Sequence, residues 1–121
     1  MKLKIHDPSP LGQQTFSDNE KIWFVSRLIE KTKDLPVQTM PIACLNIYNL
    51  FPRVDSMRSF VGHIRKVMDT DLSYPIILDD EGYVMDGRHR IAKALLEGAE
   101  TVKFVRFEET PSPDKIEKEK T

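Results

Sequence analysis

The stretch Pro75-Ile76-Ile77-Leu78-Asp79-Asp80-Glu81-Gly82-Tyr83-Val84-Met85-Asp86-Gly87-Arg88-His89-Arg90-Ile91-Ala92-Lys93-Ala94-Leu95-Leu96-Glu97-Gly98 decides the fold. Pro75 to Leu78 is a short apolar run of the kind that forms a strand, and Asp79-Asp80-Glu81-Gly82 is a turn cluster. Tyr83-Val84-Met85 supplies a second strand, so the two make a hairpin. Asp86-Gly87 then hands the chain to a helix that runs from about Arg88 and stops at Gly98. The expected packing face of that helix is Ile91, Ala94 and Leu95.

Working outward, Thr101 to Phe107 alternates Val102, Phe104, Val105 and Phe107 well enough for a closing strand. Upstream, Met57, Phe60, Val61, Ile64, Val67 and Met68 recur at helical spacing behind Asp55, a residue suited to capping. These six define the expected core face of a helix. Val37 to Met40 reads as a strand that Pro41 ends or confines to an edge, and Ile42 to Leu50 is ambiguous. Ser17-Asp18-Asn19-Glu20 has the form of a capping box. Behind it Ile22, Val25, Leu28 and Ile29, widened by Trp23 and Phe24, predict a first helix that ends near Asp34, ahead of Pro36. The expectation is a compact α+β domain over residues 17–107, with a small mixed sheet and flanking helices. The hairpin is expected at the centre of that sheet. Residues 1–16 read as an irregular arm.

Composition bounds the rest. The chain has 121 residues, 40% of them apolar, with 18 Lys and Arg against 19 Asp and Glu. One domain and one modest core fit that length. A formal charge of −1 excludes a strongly basic nucleic-acid wrapper. Five acids and three lysines fall in 108–121, so that segment reads as a disordered tail. Without it the totals become 15 basic and 14 acidic, and any anion site on the body must be local. A single cysteine, Cys44, excludes an internal disulfide and reads as a small buried hydrophobe. With no apolar signal core and no ~20-residue apolar run, a cytoplasmic protein without a membrane partner is expected.

Chemistry concentrates at Asp86-Gly87-Arg88-His89-Arg90. A helix start offers unpaired N–H groups and the positive end of a dipole, which disfavours cations there. Two arginines and a histidine at that place make sense if an anion sits among them. The competing reading has Asp86 capping the helix and pairing with the arginines. Asp79, Asp80 and Glu81 read as a solvated turn, with a Mg²⁺ role as the alternative. Asp86 is the better candidate for a metal contact or a general base. His6 has no partner near it in sequence.

The same residues carry a resemblance. The strand, the Asp86-Gly87-Arg88-His89-Arg90 turn and the Ala-containing helix together resemble the N-terminal domain of ParB partition proteins. The sulfiredoxins share the pattern as Gly-Cys-His-Arg. Coverage is roughly residues 37–107. The resemblance implies a bound nucleoside triphosphate, ATP or CTP, with Mg²⁺. Its phosphates would lie against Gly87, Arg88, His89 and Arg90, with Arg58, Ser59 and His63 on the neighbouring helix. Asp86 and His89 are the implied catalytic pair. Activities across the superfamily include DNA-clamp control, sulfinic-acid activation, amino-acid kinase chemistry and nuclease action. A Mg²⁺-dependent phosphotransferase or triphosphate hydrolase is therefore one expectation, and a partition-related or nuclease-like accessory module the other. Arg88 stands where the sulfiredoxin cysteine would be, so that nucleophile is missing. No helix-turn-helix pattern follows the domain here, so DNA contact, if made, would not be sequence-specific through this chain alone.

Overall fold

In the computed structural model the described residues are 14–45 and 54–117. Seven strands and three helices follow in chain order: β1 (Thr15–Asp18), β2 (Lys21–Phe24), α1 (Val25–Lys31), β3 (Gln38–Pro41), α2 (Met57–Asp69), β4 (Ile76–Leu78), β5 (Val84–Asp86), α3 (Arg88–Leu96), β6 (Thr101–Arg106) and β7 (Lys115–Ile116). A 3₁₀ turn, Ile42–Cys44, follows β3. The class is α+β, as the sequence indicates.

The main sheet has the order β3-β6-β4-β5 and is mixed. β4 runs parallel to β6, while β3 with β6 and β4 with β5 are antiparallel. The continuous apolar character of β4 has a direct cause, because both faces of the sheet are covered. Ile76, Leu78, Val102 and Phe104 meet Ile91 and Ala94 of α3 and Ile42 and Leu45 on one side. Ile77, Met85, Val105 and Phe107 meet Trp23 and Leu28 on the other. The alternation in β6 feeds both clusters, so β6 and β4 are the interior strands. β5 is an edge strand, which corrects the expectation that the whole hairpin lies at the centre.

The first helix is much shorter than its apolar spacing suggests. Ser17-Asp18-Asn19-Glu20 is the turn region of a hairpin rather than a capping box, with Asn19 in the left-handed region at φ 57°. Asn tolerates that conformation, and aromatic residues opposite each other favour strands. Phe16 sits opposite Trp23 with ring centres 5.6 Å apart. Only Val25 to Lys31 is helical, burying Val25 and Leu28.

The charged C-terminal segment is likewise ordered through residue 117, contrary to the tail expected there. β7 pairs with β2, extending the hairpin to a three-stranded sheet. The Trp23 indole N–H donates to the Pro111 carbonyl at 2.8 Å. Asp114 accepts the Phe24 N–H at 2.9 Å and pairs with Arg27 at 3.0 Å. Low hydrophobicity argues against a core, but this segment is held by hydrogen bonds and by the indole it covers. Residues 118–121, positions 1–13 of the expected arm with His6, and most of the ambiguous 42–50 stretch lie outside the described residues, while Thr15 and Phe16 at the end of that arm belong to β1. Cys44 is exposed, not buried, since Ile42 and Leu45 on either side of it are the residues that turn inward.

Candidate functional site: the turn from β5 into α3

Gly87 makes the turn. Its φ of 109° is in the left-handed region, and a Cβ there would lie 2.5 Å from Cγ2 and 2.9 Å from Cβ of Ile76. Ile76 is completely buried, so the neighbour cannot yield, and glycine is the residue that fits. The helix begins at once. Its first rung is Ile91 N–H to Gly87 O at 3.0 Å, so the N–H groups of Arg88, His89 and Arg90 precede the hydrogen-bonded ladder. No side chain caps this end and no acid lies in the first turn.

The two arginines are treated differently. Arg90 donates to Asp86 Oδ2 at 2.8 Å and to the Pro75 carbonyl at 3.3 Å, with both charged side chains largely buried. Its Nε is buried without a hydrogen-bond partner. Arg90 thus closes the turn back onto the strand, and Asp86 is its counter-ion rather than a helix cap. Arg88 is half-buried, and it forms no ion pair among the described residues. Burial holds its pKa below the usual arginine range.

Of the three residues expected from α2, only His63 reaches this turn. Its Nδ1 lies 2.8 Å from His89 Nε2. Ring centres 5.1 Å apart and planes 13° apart place the rings edge to edge, because a face-to-face stack could not hold the nitrogens so close at that separation. One proton is shared along that line, and the tautomer decides which ring donates. The His89 pKa is lowered to about 4, first by burial and then by His63, Lys66 and Arg90. His89 is therefore neutral at pH 7. Ser59 is spent elsewhere. Its Oγ donates to the Ser56 carbonyl and accepts the Asp55 N–H, both at 3.3 Å, at the start of α2. The cap of that helix is Ser56, not Asp55. Arg58 is on the exposed side.

Lys66 reads in sequence as part of a solvated basic helix face, with a continuation of the Arg88–Lys93 cluster as the alternative, and the structure brings it to this site. It follows His63 by three positions and so shares its helix face, and its charge acts on His89. The site thus combines the start of α3, Arg88, Lys66 and a hydrogen-bonded histidine pair in which His89 is neutral at pH 7. Asp79 accepts the Glu81 and Tyr83 N–H groups at 2.9 and 2.8 Å, which makes the carboxylate run a structured hairpin turn.

No protein-family model, curated protein or solved structure matches this chain. The likeness to the ParB and sulfiredoxin group therefore rests on the Asp-Gly-x-His-Arg turn with its flanking strand and helix.

Among the described residues no three His, Cys, Asp or Glu side chains are grouped to hold a metal. Asp86, the carboxylate beside the turn, is committed to Arg90. No helix among the described residues is long and apolar enough to cross a membrane.

Proposed function

We propose that this ParB/sulfiredoxin-like domain binds a nucleoside triphosphate with its phosphates at the Gly87–Arg90 turn, as the first step of phosphoryl transfer or hydrolysis. The observation that carries the reading is Arg88, a half-buried guanidinium with no ion pair among the described residues, at the positive end of a helix. Stability alone disfavours that placement, because burial and the dipole both act against the charge. A phosphate accepting the first-turn N–H groups and the guanidinium together removes both costs. Gly87 supports the reading by making the sharp turn, packed against Ile76, from which α3 starts. Lys66 adds a second cation near the same helix end. Any Mg²⁺ would arrive on the polyphosphate, since that ion is commonly held by substrate phosphates and waters.

The division of labour follows from the contacts. Arg88 and the N–H groups hold the anion. Arg90 and Asp86 keep the turn in place. His89, neutral at pH 7, would accept a proton from an attacking hydroxyl or water on Nδ1, in the tautomer that donates its Nε2–H to His63.

The test is a paired measurement on wild type and Arg88→Ala: melting temperature without ligand, and calorimetric titration with ATP, CTP and ADP in the presence of Mg²⁺. One lost charge-assisted bond of about 1.5–3 kcal/mol corresponds to roughly tenfold to hundredfold weaker binding. Melting should stay the same or rise. If wild type binds none of the three nucleotides, or if Arg88→Ala binds as wild type does, the reading is wrong. Product analysis of the binding nucleotide then separates transfer or hydrolysis from binding alone.

A further inference from the structure

Two imidazoles joined by a hydrogen bond hold more chemistry than one base. His63 Nδ1 and His89 Nε2 are 2.8 Å apart, with ring planes 13° apart, so a single proton lies on the line between them. Two arrangements satisfy that line. If His89 donates, both rings carry their proton on Nε2; if His63 donates, both carry it on Nδ1. The Nε2–H form is the ordinary tautomer of neutral histidine, so the first arrangement is favoured in both rings at once. It leaves Nδ1 of His89 unprotonated. By connectivity that nitrogen is the one nearer its own backbone, which is the first turn of α3.

His89 by itself is a poor base at pH 7. Burial first, then the charges of His63, Lys66 and Arg90, bring its pKa down to about 4. That the charge of His63 acts on His89 means that His63 is already protonated when His89 becomes so. The pair therefore takes up its first proton at His63.

We propose that the two rings form a proton relay, in which His89 takes the proton from the attacking group and His63 holds it. The proposal rests on the reading of a nucleoside triphosphate at this turn. An oxygen of water or a hydroxyl bonds to the terminal phosphorus while the bond to the nucleoside diphosphate breaks, and the diphosphate leaves with that electron pair. The proton of the attacking oxygen passes to His89 Nδ1, and the Nε2 proton of His89 passes to His63 Nδ1. His89 is then neutral again and His63 is an imidazolium. After product release the proton returns along the same line and leaves from His89 Nδ1 to water, which restores both rings. His63 touches no substrate in this scheme and acts through His89 alone.

Ring-nitrogen NMR on the ligand-free full chain, isotope-labelled at its histidines, reads the proton positions. At pH 7 His89 should show a protonated Nε2 and an unprotonated Nδ1. On acidification His63 should become the doubly protonated ring while His89 stays neutral. A His89 that carries its proton on Nδ1, or that is the first to become doubly protonated, overturns the proposal. Turnover is the second arm. His63→Asn puts a carbonyl oxygen where Nδ1 was, so it still accepts the His89 N–H but cannot take the proton. It should keep the Nε2–H tautomer of His89 and bind nucleotide as wild type does. General base catalysis contributes roughly 10²–10⁴-fold, so its turnover should fall to about a tenth of wild type or less. Unchanged turnover overturns the relay and leaves nucleotide binding at the turn in place. Wild type that binds nucleotide and turns none over does the same, whereas wild type that binds none overturns the reading beneath the relay as well.

Discussion

His89 shows how much of this site depends on what surrounds a single ring. Half-burial between two helices, a second imidazole at 2.8 Å and the charges of Lys66 and Arg90 all disfavour its protonated form. Its folded pKa, about 4, lies below the ordinary histidine value near 6.5. Between those values the unfolded chain binds more protons than the folded one, so stability falls as pH drops from 6.5 toward 4. Below about 4 this contribution levels off, and above 6.5 it is fully present. Because the ring keeps partial contact with water, solvent screening reduces the effect, and a few degrees of melting temperature is the expected size. His89→Gln should lose that increment of pH dependence while the carboxylate contributions remain. The measurement is melting of both proteins at half-unit steps from pH 4 to 7.5. Parallel curves would show that His89 titrates as it does in the unfolded chain. Arg90 teaches the complementary point. Its charge at a helix start reads in sequence as an anion ligand, but Asp86, four positions earlier, already takes it. Arg88 carries no such partner among the described residues, and only the four-residue spacing from Asp86 marks Arg90 as the paired one.

At the scale of elements, the register of α3 against α2 is fixed from both ends. His89 meets His63 near the middle of α2, and Lys93, one turn further along α3, donates to the Met68 and Thr70 carbonyls at 3.0 and 2.7 Å. Those carbonyls belong to the end of α2, where the dipole favours a cation. Lys93→Met keeps the apolar stem and removes the donor, so it should cost about 1 kcal/mol, or several degrees of melting temperature. Thermal unfolding checks this, and an unchanged midpoint would show that water replaces the ammonium without loss. The elements were legible in sequence where local chemistry and tertiary packing agree. β4, the turn at Gly87, the start of α3 at Arg88 and its stop at Gly98, with φ 76°, follow from residues that admit few alternatives. They were illegible where packing overrides spacing. Residues 22–29 carry apolar side chains at helical intervals, yet the pairing of Phe16 with Trp23 draws 22–24 into a hairpin and leaves the helix to begin at Val25. α2 is the helix its spacing predicts, but of the six apolar residues on that face only Val67 is buried, because periodicity reports an apolar stripe without saying what covers it. Leu95 is a smaller case of the same kind, exposed although it follows the buried Ala94.

At the scale of the whole molecule, the main sheet carries two buried clusters, and the second is closed by a segment that composition alone would dismiss. Trp23 is 5% exposed and packs with Leu28, Ile77, Met85, Val105 and Phe107. Its indole N–H is satisfied by Pro111. Asp114 secures the Phe24 N–H and Arg27, while the Asp80 N–H donates to Thr110 Oγ at 2.9 Å. Ending the chain at Phe107 removes all of these partners together, exposes one side of the indole and leaves the β2 edge unpaired. With roughly 1 kcal/mol for each lost hydrogen bond, and more where a buried donor is left without a partner, the cost is about 3–5 kcal/mol. That is a large part of the 5–15 kcal/mol typical of a domain. The expected melting temperature falls by at least 10 °C, and Trp23 emission moves to longer wavelength as water reaches the ring. Asp114→Ala tests the same latch at one residue and should reproduce part of the loss, because it leaves the Phe24 N–H and Arg27 without their partner. A truncated chain that melts and emits as the full chain does would show that residues 108–117 lie on the fold without supporting it.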